Sequence, residues 1–382
     1  MSVAKKKGEG EIKERAKFGR TNTHNLSMGI VGLPNVGKSS LFNVMTGLQV
    51  PASNYAFCTI DPCEAKVSIK DKRFDDLCAL FKPKREVPSY LSVFDIAGLV
   101  KGASEGLGMG NSFLEHIRQV DGIFHVVRCF KDDSVVHVEN TVDPARDCET
   151  IRSELRKKDL ADSEKREAMA ARELRGKPND KQLKIYAEAL EKLVSGLKDG
   201  KDARYIEFTS DEIKSLRPLN LITAKNVVYL ANIGQDRYVQ AKAPALAIEL
   251  KKHLIPTDPE APLVLFSASV VGEDALKYVE KIIDAGYKSL DLSNFFTCGP
   301  DEVRSWVIRE GTLAPDAGAV IHTDFKTGFV AVDVMKYDDL MKHGSEQEVK
   351  SKGLCNMRGR DYSVVNGDVL HFKAGRVNAG KK

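Results

Sequence analysis

The run GLPNVGKS, residues Gly32–Ser39, stands between a short apolar run at 28–32 and a helical pattern that starts at Leu41. The order of strand, glycine loop and helix predicts a P-loop. In such a loop the backbone N–H groups turn inward around a phosphate at the positive end of a helix dipole. This stretch therefore predicts a nucleotide-binding α/β fold.

The same motif assigns roles to individual side chains. Lys38 is expected to reach the β- and γ-phosphates, and the Ser39 hydroxyl is expected to ligate Mg²⁺. The predicted phosphate-binding set is Asn35, Val36, Gly37, Lys38, Ser39 and Ser40.

Three further residues separate nucleotide switches from other P-loop proteins. Asp95 follows the predicted strand Tyr90–Phe94 and is placed to hold Mg²⁺ indirectly, through water, and the Gly98 backbone is placed to sense a γ-phosphate. Thr59, in the loop before them, is the predicted threonine that closes over Mg²⁺. Leu99 stands where Ras-type enzymes have a glutamine that orients the attacking water, so intrinsic hydrolysis is expected to be slow.

The rest of the chain divides into three regions with different sequence patterns. Strands predicted at Gly122–Arg128, Asn226–Ala231 and Leu263–Ser267 continue a mostly parallel sheet. Residues 151–204 are densely charged, with an apolar stripe that is thin before a turn at 176–180 and clearer after it. This pattern predicts an antiparallel, coiled-coil-like helical hairpin. Its charge is either the solvated surface of two helices or a docking arm for a large partner.

The C-terminal part is predicted to be a small β-rich module. The candidate strands are Asn294–Thr297, Val303–Ile308, Ala319–His322, Phe329–Val334 and Val369–Phe372. Asn366-Gly367-Asp368 is a turn signal immediately before the last of them.

Composition limits the class of protein. The chain has 382 residues, a formal net charge of +4 and 7 cysteines. No run of 18 apolar residues occurs, so a membrane span is not expected, and the sparse cysteines favour a reducing cytoplasm. The basic ends, at 1–26 and 376–382, suit either a polyanionic partner such as RNA or simple solubility.

Long stretches of the sequence resemble one family. The P-loop GLPNVGKS, the stretch NYAFCTIDP at 54–62 and the run DIAGLVKGASEGLGMGNSFLEHIR from Asp95 are similar to those of the YchF family, the Obg-like ATPases of the TRAFAC P-loop class. The C-terminal motifs FFTCGPDEVRSWVIREGT, IHTDFKTGF and NGDVLHF resemble a TGS domain, a β-grasp module.

The resemblance implies a domain plan and partners. It implies a P-loop domain over 27–293, interrupted by a helical coiled-coil insertion at 151–215, and a TGS module over 294–375. It also implies Mg²⁺ as cofactor and the ribosome or ribosomal RNA as partner. A monomer is the expected oligomeric state.

The base-recognition site differs from that of GTPases. GTPases carry N-K-x-D, whose carboxylate accepts two hydrogen bonds from guanine, whereas this chain has Asn232-Ile233-Gly234-Gln235. A neutral amide cannot supply that paired acceptor, so guanine preference should be lost and adenine favoured. The family carries N-x-x-E, and Gln235 departs from that glutamate. Asn232 and Ile233 match base-contacting positions, and Phe130, Ser267 and Ala268 are candidates to line the pocket.

Two histidines and one asparagine have alternative roles. His137 matches a family position proposed to assist hydrolysis, and a packed structural histidine is the alternative. His125, inside a predicted strand, is expected to be a core residue. Asn35 matches residues that hold K⁺ in some related NTPases.

The predicted reaction is hydrolysis of ATP to ADP and phosphate, with GTP as a second candidate substrate. The alternative is a ribosome- or RNA-binding regulator that uses nucleotide as a conformational ligand and in which hydrolysis is incidental. A small-molecule kinase is disfavoured by the D-x-x-G sequence Asp95–Gly98.

Overall fold

The structure is a computed structural model, which describes residue 18 and residues 26–47, 63–96, 110–240 and 242–375. In chain order its strands are β1 (Ser27–Val31), β2 (Glu64–Ser68), β3 (Arg85–Val87), β4 (Tyr90–Asp95), β5 (Gly122–Arg128), β6 (Asn226–Asn232), β7 (Leu263–Phe266), β8 (Leu292–Cys298), β9 (Glu302–Arg309), β10 (Phe329–Lys336), β11 (Asn356–Arg358) and β12 (Asp368–Ala374). Most of the predicted arm at 1–26, all of the predicted tail at 376–382, Thr59 and Gly98 lie outside the described residues.

The helices flank two sheets or belong to one largely helical unit. In chain order they are α1 (Lys38–Thr46), α2 (Lys72–Phe81), α3 (Gly110–Gln119), α4 (Pro144–Gly176), α5 (Lys181–Lys198), α6 (Ser210–Leu216), α7 (Gln235–Val239), α8 (Ala245–Thr257), α9 (Glu273–Ser289), α10 (Ala314–Ile321), α11 (Thr323–Thr327), α12 (Tyr337–His343) and α13 (Glu346–Ser351). Among the residues described, none of these helices is both long and apolar enough to cross a membrane.

The first sheet has the strand order β2-β4-β1-β5-β6-β7 and is parallel except for β2. Strands β1 and β5 are buried along their whole length, which explains their nearly continuous apolar sequences. The prediction of a mostly parallel α/β sheet is confirmed, and the strands predicted after β1 end within one residue of their predicted limits. The antiparallel edge strand β2 was not predicted.

The second sheet has the strand order β11-β10-β12-β8-β9-β3. Its edge strand β3 comes from the chain between α2 and β4, far from the other five strands in sequence, and pairs in parallel with β9. Apolar residues cover both faces of the sheet, with Phe295 in one buried cluster and Phe296 in the other.

One predicted strand of this module is wrong. Residues 319–322 lie at the end of helix α10 and its cap, because Pro315 is in the first turn of a helix whose Ala314 and Ala317 are buried at helical spacing. A short apolar run does not distinguish a buried helix from a strand by itself.

Residues 156–224 form a separate compact unit, to which Phe18 also belongs. Asp180 caps α5 after the predicted turn, accepting hydrogen bonds from the backbone N–H groups of Gln182 and Leu183. Lys198 near the end of α5 pairs with Glu164 of α4 at 2.9 Å. Buried residues of α5 share a cluster with Ala170 of α4. Two packed helices are therefore present, and their coiled-coil character remains a prediction.

Candidate nucleotide site

The loop between β1 and α1 leaves helix amides open to an anion. Gly37 precedes α1 with a φ of 100°, and no side chain among the described residues caps the first-turn N–H groups. A Cβ on Gly37 would collide with the Asn232 amide nitrogen. Only glycine combines this backbone conformation with so close an approach.

Lys38 folds back over the loop instead of extending into solvent. Its side chain is buried, and Nζ donates to the Leu33 carbonyl oxygen at 2.7 Å. Burial lowers the pKa of Lys38 to about 8, while the nearby Asp95 carboxylate acts in the opposite direction. An ammonium group with so little solvent is strongly attracted to a phosphate that enters the loop.

Ser39 and Asp95, two of the predicted Mg²⁺ residues, lie within hydrogen-bond distance of each other, and their binding of a metal remains a prediction. Asp95 ends β4 and pairs in register with Ile30 of β1. Burial raises the pKa of Asp95, opposed by the charge of Lys38 and by a hydrogen bond with the Ser39 side chain. A hydroxyl and a carboxylate at this edge are hard oxygen donors of the kind that Mg²⁺ prefers beside nucleotide phosphates.

The loop after β5 is held by a buried arginine that the sequence reasoning missed. The Arg128 guanidinium donates to the carbonyl oxygens of Phe130, Val135 and Asp132 at 3.3, 3.0 and 2.9 Å. It also lies 4.6 Å from the centre of the half-buried Phe130 ring. A charged residue ending an otherwise apolar strand was the available signal. Arg128 therefore fixes the position of Phe130, the predicted base-packing residue.

The same loop touches the P-loop directly. Asn35 donates through Nδ2 to the Val136 carbonyl oxygen at 3.1 Å. This contact joins the phosphate-binding loop to the residue before His137. The predicted K⁺ role of Asn35 remains a prediction.

His137 is buried with both ring nitrogens engaged. Nδ1 accepts from the backbone N–H of Glu139 at 3.1 Å, so Nε2 carries the proton and donates to Asp147 Oδ2 at 2.9 Å. Asp147 Oδ1 accepts from Arg146. These contacts favour the structural alternative for His137. The other singled-out histidine, His125, is buried with its ring 5.3 Å from that of Tyr229, as predicted for a core residue.

Replacing His137 by alanine should therefore destabilise the fold. The variant leaves the buried Asp147 carboxylate without one of its donors, and we expect the free energy of unfolding to fall by roughly 2–3 kcal/mol in urea titration. His116→Ala, on an exposed position of α3, is the matched control. Unchanged stability with lost hydrolysis would instead support a purely catalytic histidine.

Asn232 ties the P-loop to the loop after β7. Its Nδ2 donates to the Val36 carbonyl oxygen at 2.9 Å, and its Oδ1 accepts from the Ala268 N–H at 3.1 Å. Because Asn232 is itself buried at the end of β6, these two bonds hold the two loops at a fixed separation.

The residues that follow β6 and β7 lie against each other. Ile233 is buried, and its N–H donates to the Phe266 carbonyl oxygen at 2.8 Å, which fixes the end of β6 against the end of β7. Ser267, next in the chain, is buried, and its hydroxyl has no hydrogen-bond partner within the described part of the chain. The predicted pocket residues Asn232, Ile233, Ser267 and Ala268 therefore lie together. Contact of Asn232 with a base remains a prediction.

Replacing Asn232 by alanine should loosen this whole edge. Two backbone groups lose their partners, and we expect the free energy of unfolding to fall by about 3 kcal/mol, together with weaker nucleotide binding. Asn43→Ala, an exposed change on α1, is the control for loss of an asparagine side chain. Equal stability of the two variants in urea titration would contradict the bracing role.

The fourth position of the base-recognition sequence is an exposed neutral side chain. Gln235 starts the short helix α7 directly after Gly234, and Asp236 beside it is also exposed. The Asn232-Ile233-Gly234-Gln235 segment thus presents no carboxylate at the position where GTPases place theirs.

A glycine loop with open amides, a buried lysine and a serine–aspartate pair meet where strands of a parallel sheet end. This combination defines a P-loop nucleoside triphosphatase, a class that generally uses Mg²⁺. Two family models match the chain. One is described as a 50S ribosome-binding GTPase and covers residues 27–163, and the C-terminal model of YchF GTPases, described as a protein of unknown function (DUF933), covers residues 292–375.

Relatives align with nearly the whole chain. The chain is 46% identical over 385 residues to Obg-like ATPase 1 of Oryza sativa subsp. japonica, with 97% of each protein covered. It is 44% identical over 401 residues to Obg-like ATPase 1 of Homo sapiens, with 99% of each covered. The solved structure of the Schizosaccharomyces pombe YchF GTPase matches with a TM-score of 0.83 at 40% identity, covering 94% of this chain and 100% of that one. The chain belongs to the YchF family of Obg-like ATPases and is a nucleotide-binding hydrolase.

Proposed function

We propose that this hydrolase acts on ATP, releasing ADP and phosphate, with GTP as a second substrate. The observation that carries the proposal is the neutral Gln235 at the position where guanine recognition needs a carboxylate. The names of the Obg-like ATPase relatives support the same choice. Slow intrinsic turnover is proposed because Leu99 cannot orient an attacking water.

Different residues of the site are proposed to bind the phosphates and the Mg²⁺ ion. The loop amides at 35–37 and the Lys38 ammonium bind the phosphates and stabilise their charge. Ser39 and Asp95 would hold Mg²⁺, the latter through water, and the ion would supply further positive charge beside the β- and γ-phosphates. Thr59 is proposed to become a further Mg²⁺ ligand when its loop closes, and the Gly98 backbone is proposed to sense the γ-phosphate.

The family resemblance implies two further roles at this site. They are K⁺ binding at Asn35 and a hydrolytic role of His137. The contacts of these side chains with Val136 and Asp147 support structural roles instead.

Titration calorimetry with ATP, GTP and ADP tests the base preference. We expect ATP to bind more tightly than GTP, and a tenfold or greater preference for GTP would reject the proposal. Gln235→Asp should shift the ratio of the two affinities toward GTP by roughly tenfold, because a carboxylate pairs with the guanine edge. Gln240→Asp adds the same charge at the other end of α7 and should leave the ratio unchanged.

Ribosome or ribosomal RNA binding in the cytoplasm is the proposed output, by a monomer. The matching N-terminal family model, that of a 50S ribosome-binding GTPase, and the basic ends of the sequence support it. The domain plan is also a proposal: a P-loop domain over 27–293, a helical insertion over 151–215 and a TGS module over 294–375. Cosedimentation with ribosomes at several salt concentrations tests the output. Absence of binding at low salt with every nucleotide would contradict it.

A further inference from the structure

Residues 63–95 leave the nucleotide site and return to it. At one end the Cys63 carbonyl oxygen accepts from the Asp95 N–H at 3.0 Å. Strands β2 and β4 then run antiparallel, from the pair Glu64–Phe94 to the pair Ser68–Tyr90. Both ends of the segment therefore meet at Asp95, the proposed partner of Mg²⁺.

The middle of this segment is built into the second sheet. Strand β3 pairs with β9, with Arg85 opposite Glu302 and Val87 opposite Arg304. Helix α2 buries Leu77 in the same apolar cluster as residues of β8, β9, β10 and β12. The C-terminal module is therefore incomplete without a piece of the nucleotide-binding region.

Polar contacts join the same two parts, and we call Asp71, Arg73, Asn294 and Asn366 the latch. Asn294 donates to Asp71 Oδ2 at 2.9 Å, and Arg73 donates to the same carboxylate at 2.7 and 3.0 Å. Arg73 also donates to Asn366 Oδ1 at 3.0 Å. Burial works against the charged form of Asp71, yet these bonds hold the pKa of its carboxyl below the usual value. The carboxylate is thus a charged anchor between α2 and β8.

The connection between β3 and β4, which leads back to the nucleotide site, is short and restrained. Only Pro88 and Ser89 connect β3 to β4, and the proline ring restricts its own backbone. Ser89 is buried, and its carbonyl oxygen accepts from the Ile69 N–H at 2.9 Å. A displacement of β4 at Asp95 would therefore be passed to β3 rather than absorbed between the strands.

We propose that residues 63–95 couple the nucleotide site to the C-terminal sheet. Nucleotide binding then shifts the sheet, and a ligand bound to the C-terminal module changes the affinity for nucleotide. The proposal rests on nucleotide binding as proposed above. Because linkage is reciprocal, a ligand of the C-terminal module would change the affinity for nucleotide, and nucleotide would change the affinity for that ligand by the same factor. The module is then a regulatory part of the hydrolase and not a tethered attachment.

The protein carries its own reporter for this coupling. Trp306 is the single tryptophan of the chain and lies in β9, two residues after the partner of Val87. The Arg304 guanidinium stacks 3.9 Å from the centre of the Trp306 ring, and Trp306 Nε1 donates to the Thr297 hydroxyl. Small shifts of β9 should change its emission.

The experiment titrates the full chain with a non-hydrolysable ATP analogue and Mg²⁺ while Trp306 fluorescence is recorded. We expect an emission change with the dissociation constant found by calorimetry, and at least a twofold smaller change in Arg73→Ala. Lys84 lies on the same segment, and Lys84→Ala removes only its exposed ion pair with Asp301, which precedes β9, so this variant should behave as the wild type. If Arg73→Ala does not fold, Asn366→Ala takes its place, because Asn366 is the exposed residue of the latch.

The outcomes separate the two proposals. Absence of binding in calorimetry contradicts the proposed function. Binding with unchanged Trp306 emission overturns the coupling. An emission change that keeps its full amplitude in the latch variant overturns the assignment to residues 63–95.

Discussion

Replacing Lys38 by alanine is expected to weaken ATP binding at least about a hundredfold, since charge-assisted hydrogen bonds to two phosphates would be lost. The side chain is buried under the loop and touches the Leu33 carbonyl oxygen, so its ammonium is already directed along the phosphate-binding turn. Titration calorimetry with Mg²⁺ and ATP at neutral pH measures the loss.

Lys277→Ala is the matched control for this experiment. Lys277 pairs with Asp274 on the surface of α9, and its removal changes the net charge equally. Its ATP affinity should remain within twofold of the wild type. A Lys38→Ala protein that keeps its far-UV circular dichroism and still binds ATP with wild-type affinity would contradict the phosphate role.

The nucleotide loop could be predicted because its chemistry is local in sequence. Strand, glycine loop and helix follow one another without interruption from Ser27 to Thr46, so Lys38 and Ser39 are placed by adjacent backbone. Asp95 could be added because neighbouring parallel strands end at the same edge of a sheet, and β1 and β4 are such neighbours.

Contacts between distant parts of the sequence could not be predicted in this way. Asn294 and Asp71 form a hydrogen bond although 223 positions separate them in sequence, and 196 positions separate Asn232 from the Val36 carbonyl to which it donates. No local pattern in α2 or β3 indicates that they complete the C-terminal sheet. His137 illustrates the same limit, because its sequence context left two roles open and only its contact with Asp147 favours one of them.

The affinity for ATP is also expected to depend on pH through Lys38. In the free protein the pKa of Lys38 is lowered to about 8, because burial disfavours the ammonium more than Asp95 favours it. Phosphates entering the loop favour the charged form and raise that pKa. Binding above pH 8 therefore takes up a proton, and affinity should fall by about tenfold per pH unit until the pKa of the complex is reached.

Calorimetry at about pH 7 and about pH 9.5, in buffers of different ionisation enthalpy, measures both the affinity and the proton uptake. Uptake should be near zero at the lower pH and approach one proton at the higher. Lys38→Arg should bind without this slope, since a guanidinium stays protonated throughout the range. Equal affinity of the wild type at both pH values would show that the ammonium is not what holds the phosphates. The direction of the effect has two causes: burial removes water from the Lys38 ammonium and lowers its pKa, and a bound polyanion stabilises the ammonium in place of that water and raises the pKa again.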